Sequence, residues 1–276
     1  MAVGEKRETT LAGDVIHPET APGAVRLIVG DLDVMRTFYD RALGLSILDA
    51  SADVVRLGAG SGAAIELVHR PEAPLRPPRT TGLFHLAILV PSRIELARAI
   101  RRVVDAEWSF TGAADHLVSE AMYLNDPEGN GIEIYRDRPR TEWRRSPDGE
   151  LAMATLPLDV DAVIGELGGS PDPAPSAHAD TRIGHVHLQV ADIPASEDFY
   201  RAVLGFEVTV RSYPGALFVA AGGYHHHLGL NTWAGVGAPP PPRGARGLDR
   251  FEIVLPNDAE LARVESRLTA SGIDFR

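Results

Sequence analysis

The chain has 276 residues, enough for two domains that each bury a core. A net charge of −11 without a basic, aromatic-interleaved stripe excludes a nucleic-acid partner, and no apolar run reaches the ~18 residues that a membrane helix needs. Cysteine is absent, which removes disulfides, thiolate nucleophiles, iron–sulfur clusters and zinc fingers, so that any metal must be held by His, Asp or Glu.

Residues 1–23 are expected to form an N-terminal extension. Its opening, MAVGEKRETT, has no hydrophobic stretch of the signal-peptide kind, so a cytoplasmic location is the default expectation. The next segment, LIVGDLDVMRTFYDRALGL (27–45), begins as an alternating apolar strand that ends at Asp31. A helix with Met35, Phe38, Tyr39 and Leu43 at helical spacing follows, and Gly44 stops it. VVRLGAG and AAIELVHR then read as short strands. A second unit opens with FHLAILVPSRIELAR and closes with MYLNDPEGNGIEIY, where Asn130-Gly131 has the chemistry of a tight hairpin. Residues 137–183 join the halves, with LDVDAVIGEL (158–167) as one short helix and PDPAP (171–175) as linker. A third unit runs from GHVHLQVAD through ALFVAAGG and HHHLGLNTW, and the PPPP run (239–242) precedes a fourth.

These units repeat. Leu27, Val29, Asp31, Phe38, Tyr39 and Gly44 return as Leu188, Val190, Asp192, Phe199, Tyr200 and Gly205, each 161 residues on. Ile88, Pro91, Glu95, Leu96, Ala97 and Arg98 return as Ile253, Pro256, Glu260, Leu261, Ala262 and Arg263, each 165 residues on. Two motifs recurring in one order at nearly one offset indicate a duplicated domain. The expected modules span 24–70, 83–136, 184–233 and 248–276, grouped as a first domain at 24–136 and a second at 184–276. The counterpart of Glu133 in module four would fall beyond position 276, so that module is incomplete here.

Several residues could carry chemistry. His85 and His185 open equivalent strands, and His187 shares the face of His185. His225, His226 and His227 are consecutive; read as strand, His225 and His227 share one face and His226 points away. His116 lies in DHLVSE. Glu133 sits in an apolar strand whose neighbours Ile132 and Ile134 should face the other way, with Tyr123 ten residues before it. The bland alternatives are strand-end histidines bonded to backbone, a surface carboxylate and a solvated polar turn. The matched module positions of His85 and His185 weigh against the first.

The strand-opening histidines, the FYRAVLGF helix and the DPEGNGIEIY ending together resemble the vicinal oxygen chelate superfamily of glyoxalases, bleomycin- and fosfomycin-resistance proteins and extradiol dioxygenases. The runs DHLVSEAMYLNDPEGNGIEIYRDRP, GHVHLQVAD and GGYHHHLGLNTWAG resemble its bacterial catechol 2,3-dioxygenase subgroup. The resemblance implies an α+β fold of tandem βαβββ modules, four with the last incomplete, forming curled mixed sheets around a metal site. It implies His85, Glu133 and His185 as metal ligands, His227, Tyr123 and His116 as catalytic residues, and Phe84, Tyr224, Trp233 and His225 around the substrate. Because these ligands fall in the two middle modules, the site must form between modules two and three, leaving modules one and four, with Ala24 and Arg250 at the aligned positions, as a structural pair.

Two histidines and a carboxylate suit iron(II), with Mn(II) or another divalent ion as alternative, because three protein ligands leave positions for substrate and oxygen. The expected partners are a small aromatic diol and O₂, with no nucleic acid and no membrane; homo-oligomerisation stays open. The competing readings are a glyoxalase-like isomerase or lyase, which typically uses a fourth protein ligand, and a resistance-type protein that binds a small molecule without catalysis.

Overall fold

The computed structural model describes residues 15–60, 62–169 and 174–276; the opening MAVGEKRETT and part of the PDPAP stretch lie outside them. The first module comprises β1 (Ala21–Val29), α1 (Leu32–Thr37), β2 (Ser46–Ala50), β3 (Val54–Ala59) and β4 (Gly62–His69). The second comprises β5 (Gly82–Leu89), α2 (Arg93–Asp105), β6 (Phe110–Asp115), β7 (Ser119–Asn125) and β8 (Gly131–Asp137). After the short helix α3 (Val160–Gly165), the third has β9 (Arg182–Gln189), α4 (Ile193–Glu197), β10 (Glu207–Val210), β11 (Ala216–Ala220) and β12 (Leu228–Asn231). The fourth contributes β13 (Gly247–Val254) and α5 (Asp258–Ala270).

The punctuation read from sequence has a local physical basis. Asp31, Asp192 and Asn257 cap their helices by accepting the backbone N–H of Val34, Ala195 and Glu260 at 3.0, 2.7 and 3.0 Å. The FY motifs continue α1 and α4 as π-helical turns, Phe38–Ala42 and Asp198–Val203. Gly44 and Gly205 then adopt φ of +72° and +88°, the left-handed conformation that ends each helix at little steric cost.

In every full module the opening strand lies parallel to the closing one, as β1–β4, β5–β8 and β9–β12. The modules pair across the halves of the chain. An antiparallel β5–β9 contact unites modules two and three in an eight-stranded sheet, ordered β10-β11-β12-β9-β5-β8-β7-β6. An antiparallel β1–β13 contact unites modules one and four in a five-stranded sheet, ordered β13-β1-β4-β3-β2. The fold is thus the expected α+β arrangement of mixed sheets, and neither sheet closes into a barrel. One apolar core joins Leu27 and Val29 of β1, Leu86 and Ile88 of β5, and Leu96 and Ile100 of α2.

The hairpin differs from expectation. The connection is the five-residue run Asp126–Asn130, closed by the Asp126 N–H donating to the Asn130 carbonyl at 2.9 Å, and Gly129 takes φ +85°. Gly131 already belongs to β8, where a Cβ would meet the Phe84 carbonyl oxygen at 2.2 Å; close approach of β5, and not turn geometry, requires glycine there.

The Asp126 side chain organises this turn. It accepts the backbone N–H groups of Glu128 and Asn130 at 3.0 and 2.8 Å, the Asn130 amide at 2.8 Å and the Tyr39 hydroxyl at 3.0 Å. Burial lifts its carboxyl to about 6 against these bonds. The Tyr39 bond therefore pins module one to module two. Tyr200, the repeat counterpart of Tyr39, is likewise enclosed but has no hydroxyl hydrogen bond among the described residues. Tyr39→Phe is expected to lower stability by about 1.5–3 kcal/mol at pH 7.5, the usual size for a buried bond to a charged acceptor, and Tyr200→Phe by less than about 0.5 kcal/mol. Urea denaturation of both variants checks this; equal losses would show that Asp126 does not make the difference.

Candidate metal centre and its cavity

The β5–β9 register sets Leu86 opposite Val186, His85 opposite His187 and Ala87 opposite His185. β8 lies on the other side of β5 with Glu133 opposite Ala87. Ile132 and Ile134 turn into the core at 0% and 2% exposure, so strand alternation points Glu133 away from it and toward the histidines. His85 Nε2 lies 3.0 Å from Glu133 Oε2, His185 Nε2 lies 3.1 Å from the same oxygen, and the two Nε2 atoms are 3.3 Å apart.

This donor set fits a divalent cation. Adjacent ligands at ~2.1 Å from an octahedral ion are separated by ~3.0 Å, which all three distances approach. All three residues are buried, two offering an imidazole nitrogen and one a carboxylate oxygen. Burial works to raise the Glu133 carboxyl, but His185 and His85 outweigh it and hold it well below the usual range. Burial lowers the His185 imidazole to about 4, against the pull of Glu133. At neutral pH the set is therefore a carboxylate with neutral imidazole, the protonation states that bind metal.

A cavity of about 440 Å³ opens over His85 and Glu133, walled by Phe84, Met153, Tyr213, Phe218 and Trp233. His116, Tyr123, His187 and His226 supply its other polar edges. His116 Nδ1 lies 2.7 Å from the Ala154 carbonyl, which only accepts, so Nδ1 carries a proton, and His116 Nε2 lies 2.6 Å from the Tyr123 hydroxyl. Burial, and then Glu133, pushes the Tyr123 phenol well above its ordinary value, keeping it a donor.

Some sequence expectations are corrected here. Phe84, Trp233, His116 and Tyr123 line the cavity, but His227, Tyr224 and His225 do not. His227 and Tyr224 line a separate cleft with Pro18 and Arg140; His227 stacks on Tyr224 at 4.8 Å and accepts the Ala221 N–H at 3.1 Å. His225 is fully buried behind the wall, bonded to Asp137 and His226. His226, expected to point away, is the one of the three that reaches the cavity, 4.1 Å from the His185 ring. Burial, and then the surrounding histidines, hold its imidazole well below the ordinary value. The strand reading failed because β12 begins only at Leu228; the histidines lie in an irregular turn after Gly222 and Gly223, at φ +59° and +65°, where period-two alternation does not apply. Sequence reading also missed Met153 and Thr155, which come from the inter-half connection and carry no periodic signal.

The assignment of the centre is tested by metal affinity. Glu133→Gln and His185→Ala are each expected to weaken iron(II) binding by more than the ~10–100-fold that loss of an outer partner costs, measured by chelator competition under anaerobic conditions. Undiminished affinity in either variant removes that residue from the ligand set.

Comparison with known proteins agrees with this architecture. Residues 21–134 and 182–276 match the model of the Glyoxalase/Bleomycin resistance protein/Dioxygenase superfamily. The chain is 43% identical over 261 residues to a protein of Bacillus subtilis (strain 168) named catechol-2,3-dioxygenase, covering 93% of this chain and 90% of that one. A solved structure from Bacillus subtilis subsp. subtilis str. 168 shares the fold at TM-score 0.60 and 14% identity, covering 94% of this chain and 76% of the other. Glyoxalase I from Zea mays does so at TM-score 0.52 and 16% identity, covering 91% and 80%. The duplicated βαβββ modules and the sequence match together place this chain in the glyoxalase/bleomycin resistance protein/dioxygenase superfamily.

Proposed function

We propose that the protein is a metal-dependent extradiol dioxygenase that opens catechol-type rings with O₂. The observation that carries this reading is a three-residue donor set, of which His85 and Glu133 line an apolar cavity, with separate proton-handling groups on its walls. His85, Glu133 and His185 would hold the metal; iron(II) in that place supplies positions for both catechol oxygens and O₂ together with redox capacity.

The other residues contribute binding and proton transfer. Phe84, Phe218 and Trp233 form an aromatic surround suited to a flat ring, with Phe84 and Trp233 edge-on at 5.1 Å. Neutral His226 can accept a diol proton and return it later. Tyr123, held by His116, presents its hydroxyl to oxygen atoms entering beside Glu133.

One feature of the register favours this reading over a glyoxalase-like isomerase. The two halves of the eight-stranded sheet are related through Leu86 and Val186, so the partner position of Glu133 is the residue of β12 opposite His187. That residue is Gly229. A Cβ there would meet the His187 ring at 2.8 Å, so a fourth side-chain ligand has neither an atom nor space at that position. The His and Glu ligands in turn argue against a metal-free binding protein. The sequence similarity to a protein named catechol-2,3-dioxygenase supports the same choice.

Anaerobic loading with iron(II), then oxygen uptake and the absorbance of a ring-opened semialdehyde across a catechol panel, tests the reading. Uptake is expected, with His226→Gln retaining iron but losing roughly 10²–10⁴ in turnover, while His227→Gln changes turnover less than ~10-fold. No oxygen consumption with any catechol would overturn the dioxygenase reading; loss of iron in His226→Gln would make His226 a ligand.

A further inference from the structure

From the cavity wall inward, five side chains form a network that neither metal ligation nor ring binding uses. The Nδ1 atoms of His226 and His225 lie 2.8 Å apart. His225 Nε2 lies 2.9 Å from Asp137 Oδ1. The Tyr224 hydroxyl lies 3.1 and 3.0 Å from the two Asp137 oxygens and 2.8 Å from the Tyr135 hydroxyl. His225 is fully buried and its ring is clamped between Trp143, at 5.4 Å, and Tyr224, at 4.1 Å. Asp137, with 27% of its side chain exposed, meets solvent in the separate cleft beside Arg140 and Arg182.

With both imidazoles neutral, donor and acceptor rules place the protons of this network. A carboxylate only accepts, so Tyr224 O–H and His225 Nε2–H both point to Asp137, and Tyr135 donates to Tyr224. A neutral imidazole carries one N–H, so Nδ1 of His225 is a lone pair. Two facing Nδ1 atoms need one donor between them, and only His226 can provide it. His226 therefore carries its proton at Nδ1 and leaves Nε2 bare, on a ring that lines the cavity. The hydrogen bond at one ring nitrogen selects the tautomer and so the role of the other.

We propose that Asp137, acting through His225, is a positioning residue that holds His226 in its Nδ1–H tautomer, so that the nitrogen left for the substrate is a proton acceptor. Without Asp137, His225 is free to carry its proton at Nδ1, and His226 must then accept there and present an N–H instead. A base would become a donor with no change in the cavity's shape. Asp137 lies outside the ligand set and does not line the cavity, and the two rings are its hydrogen-bonded route to it. The inference rests on His226 as the proton-handling group of the proposed reaction.

The test reads tautomers directly. Long-range proton–nitrogen correlation spectra of ¹⁵N-histidine-labelled, zinc-loaded protein at pH 7.5 distinguish Nδ1–H from Nε2–H rings, and the signals lost in His226→Gln assign that ring. In the unmodified protein His226 is expected as Nδ1–H and His225 as Nε2–H. Asp137→Ala should release His226 to the Nε2–H form or a mixture, while Asp137→Asn, whose amide oxygen still accepts, should keep the original pattern. His225→Gln should release His226 in the same way and serves if Asp137→Ala does not fold. An Nε2–H His226 or a doubly protonated His225 in the unmodified protein overturns the proposal. So does an unchanged His226 tautomer in folded Asp137→Ala, as a merely structural aspartate would leave it. Because the spectra need no turnover, they decide the proposal separately from the oxygen-uptake assay.

Discussion

The antiparallel pairing of β5 with β9 is the contact on which the site depends. Strand side chains alternate, so a slip of one residue would send one histidine into the core and leave the other alone. The observed register puts small Ala87 between His185 and Glu133, and that leaves room for both longer side chains to meet above it. Each ligand comes from a different strand, and two of the three lie 100 residues apart in sequence. The chemistry of the site is thus set by a long-range backbone contact.

A symmetric scaffold here yields an asymmetric site. Parallel closing strands flank the β5–β9 pair on both sides, and equivalent positions carry Glu133 in β8 and Gly229 in β12. The carboxylate offers one anionic oxygen, and the glycine gives its space to the His187 ring. One side of the centre is closed by protein and the other is left to what enters the cavity. The five-stranded sheet keeps the same module topology without gathering a metal-holding group among the described residues: Arg26 and Arg250 face each other across β1 and β13, and Arg26 pairs with Glu66. That sheet contributes packing through Leu27, Val29 and the Tyr39–Asp126 bond.

Gathering this many imidazoles in one buried place carries an electrostatic cost. Burial holds His185, His187 and His226 neutral, which leaves the carboxylate of Glu133 as the charge facing a cation. The nearby polar groups are mostly tied in pairs or chains, as in His116 with Tyr123 and the network converging on Asp137. A satisfied network in a low-dielectric interior is rigid, and rigidity fixes which nitrogen carries a proton. His187 departs from this pattern, with a buried Nε2 that has no partner beside the open cavity.

The sequence by itself determined what depends on local chemistry and on repetition. Asp31 and Asp192 are legible as boundaries between strand and helix because the cap each one makes is a bond between neighbours in the chain. The duplication and the equivalence of His85 and His185 are legible because paired offsets survive in the residues themselves, and Glu133 stands out between two core isoleucines. Tertiary structure decided which of three consecutive histidines enters the cavity, since two left-handed glycines break the strand that would have imposed alternation. It also decided that Gly131 serves a close strand contact and that Met153 and Thr155 form a wall, because aperiodic segments take their orientation from what they pack against. Periodicity reports a side chain's direction only where a regular backbone imposes one; beyond the last residue of a strand, direction is a property of the neighbours, and they are distant in sequence.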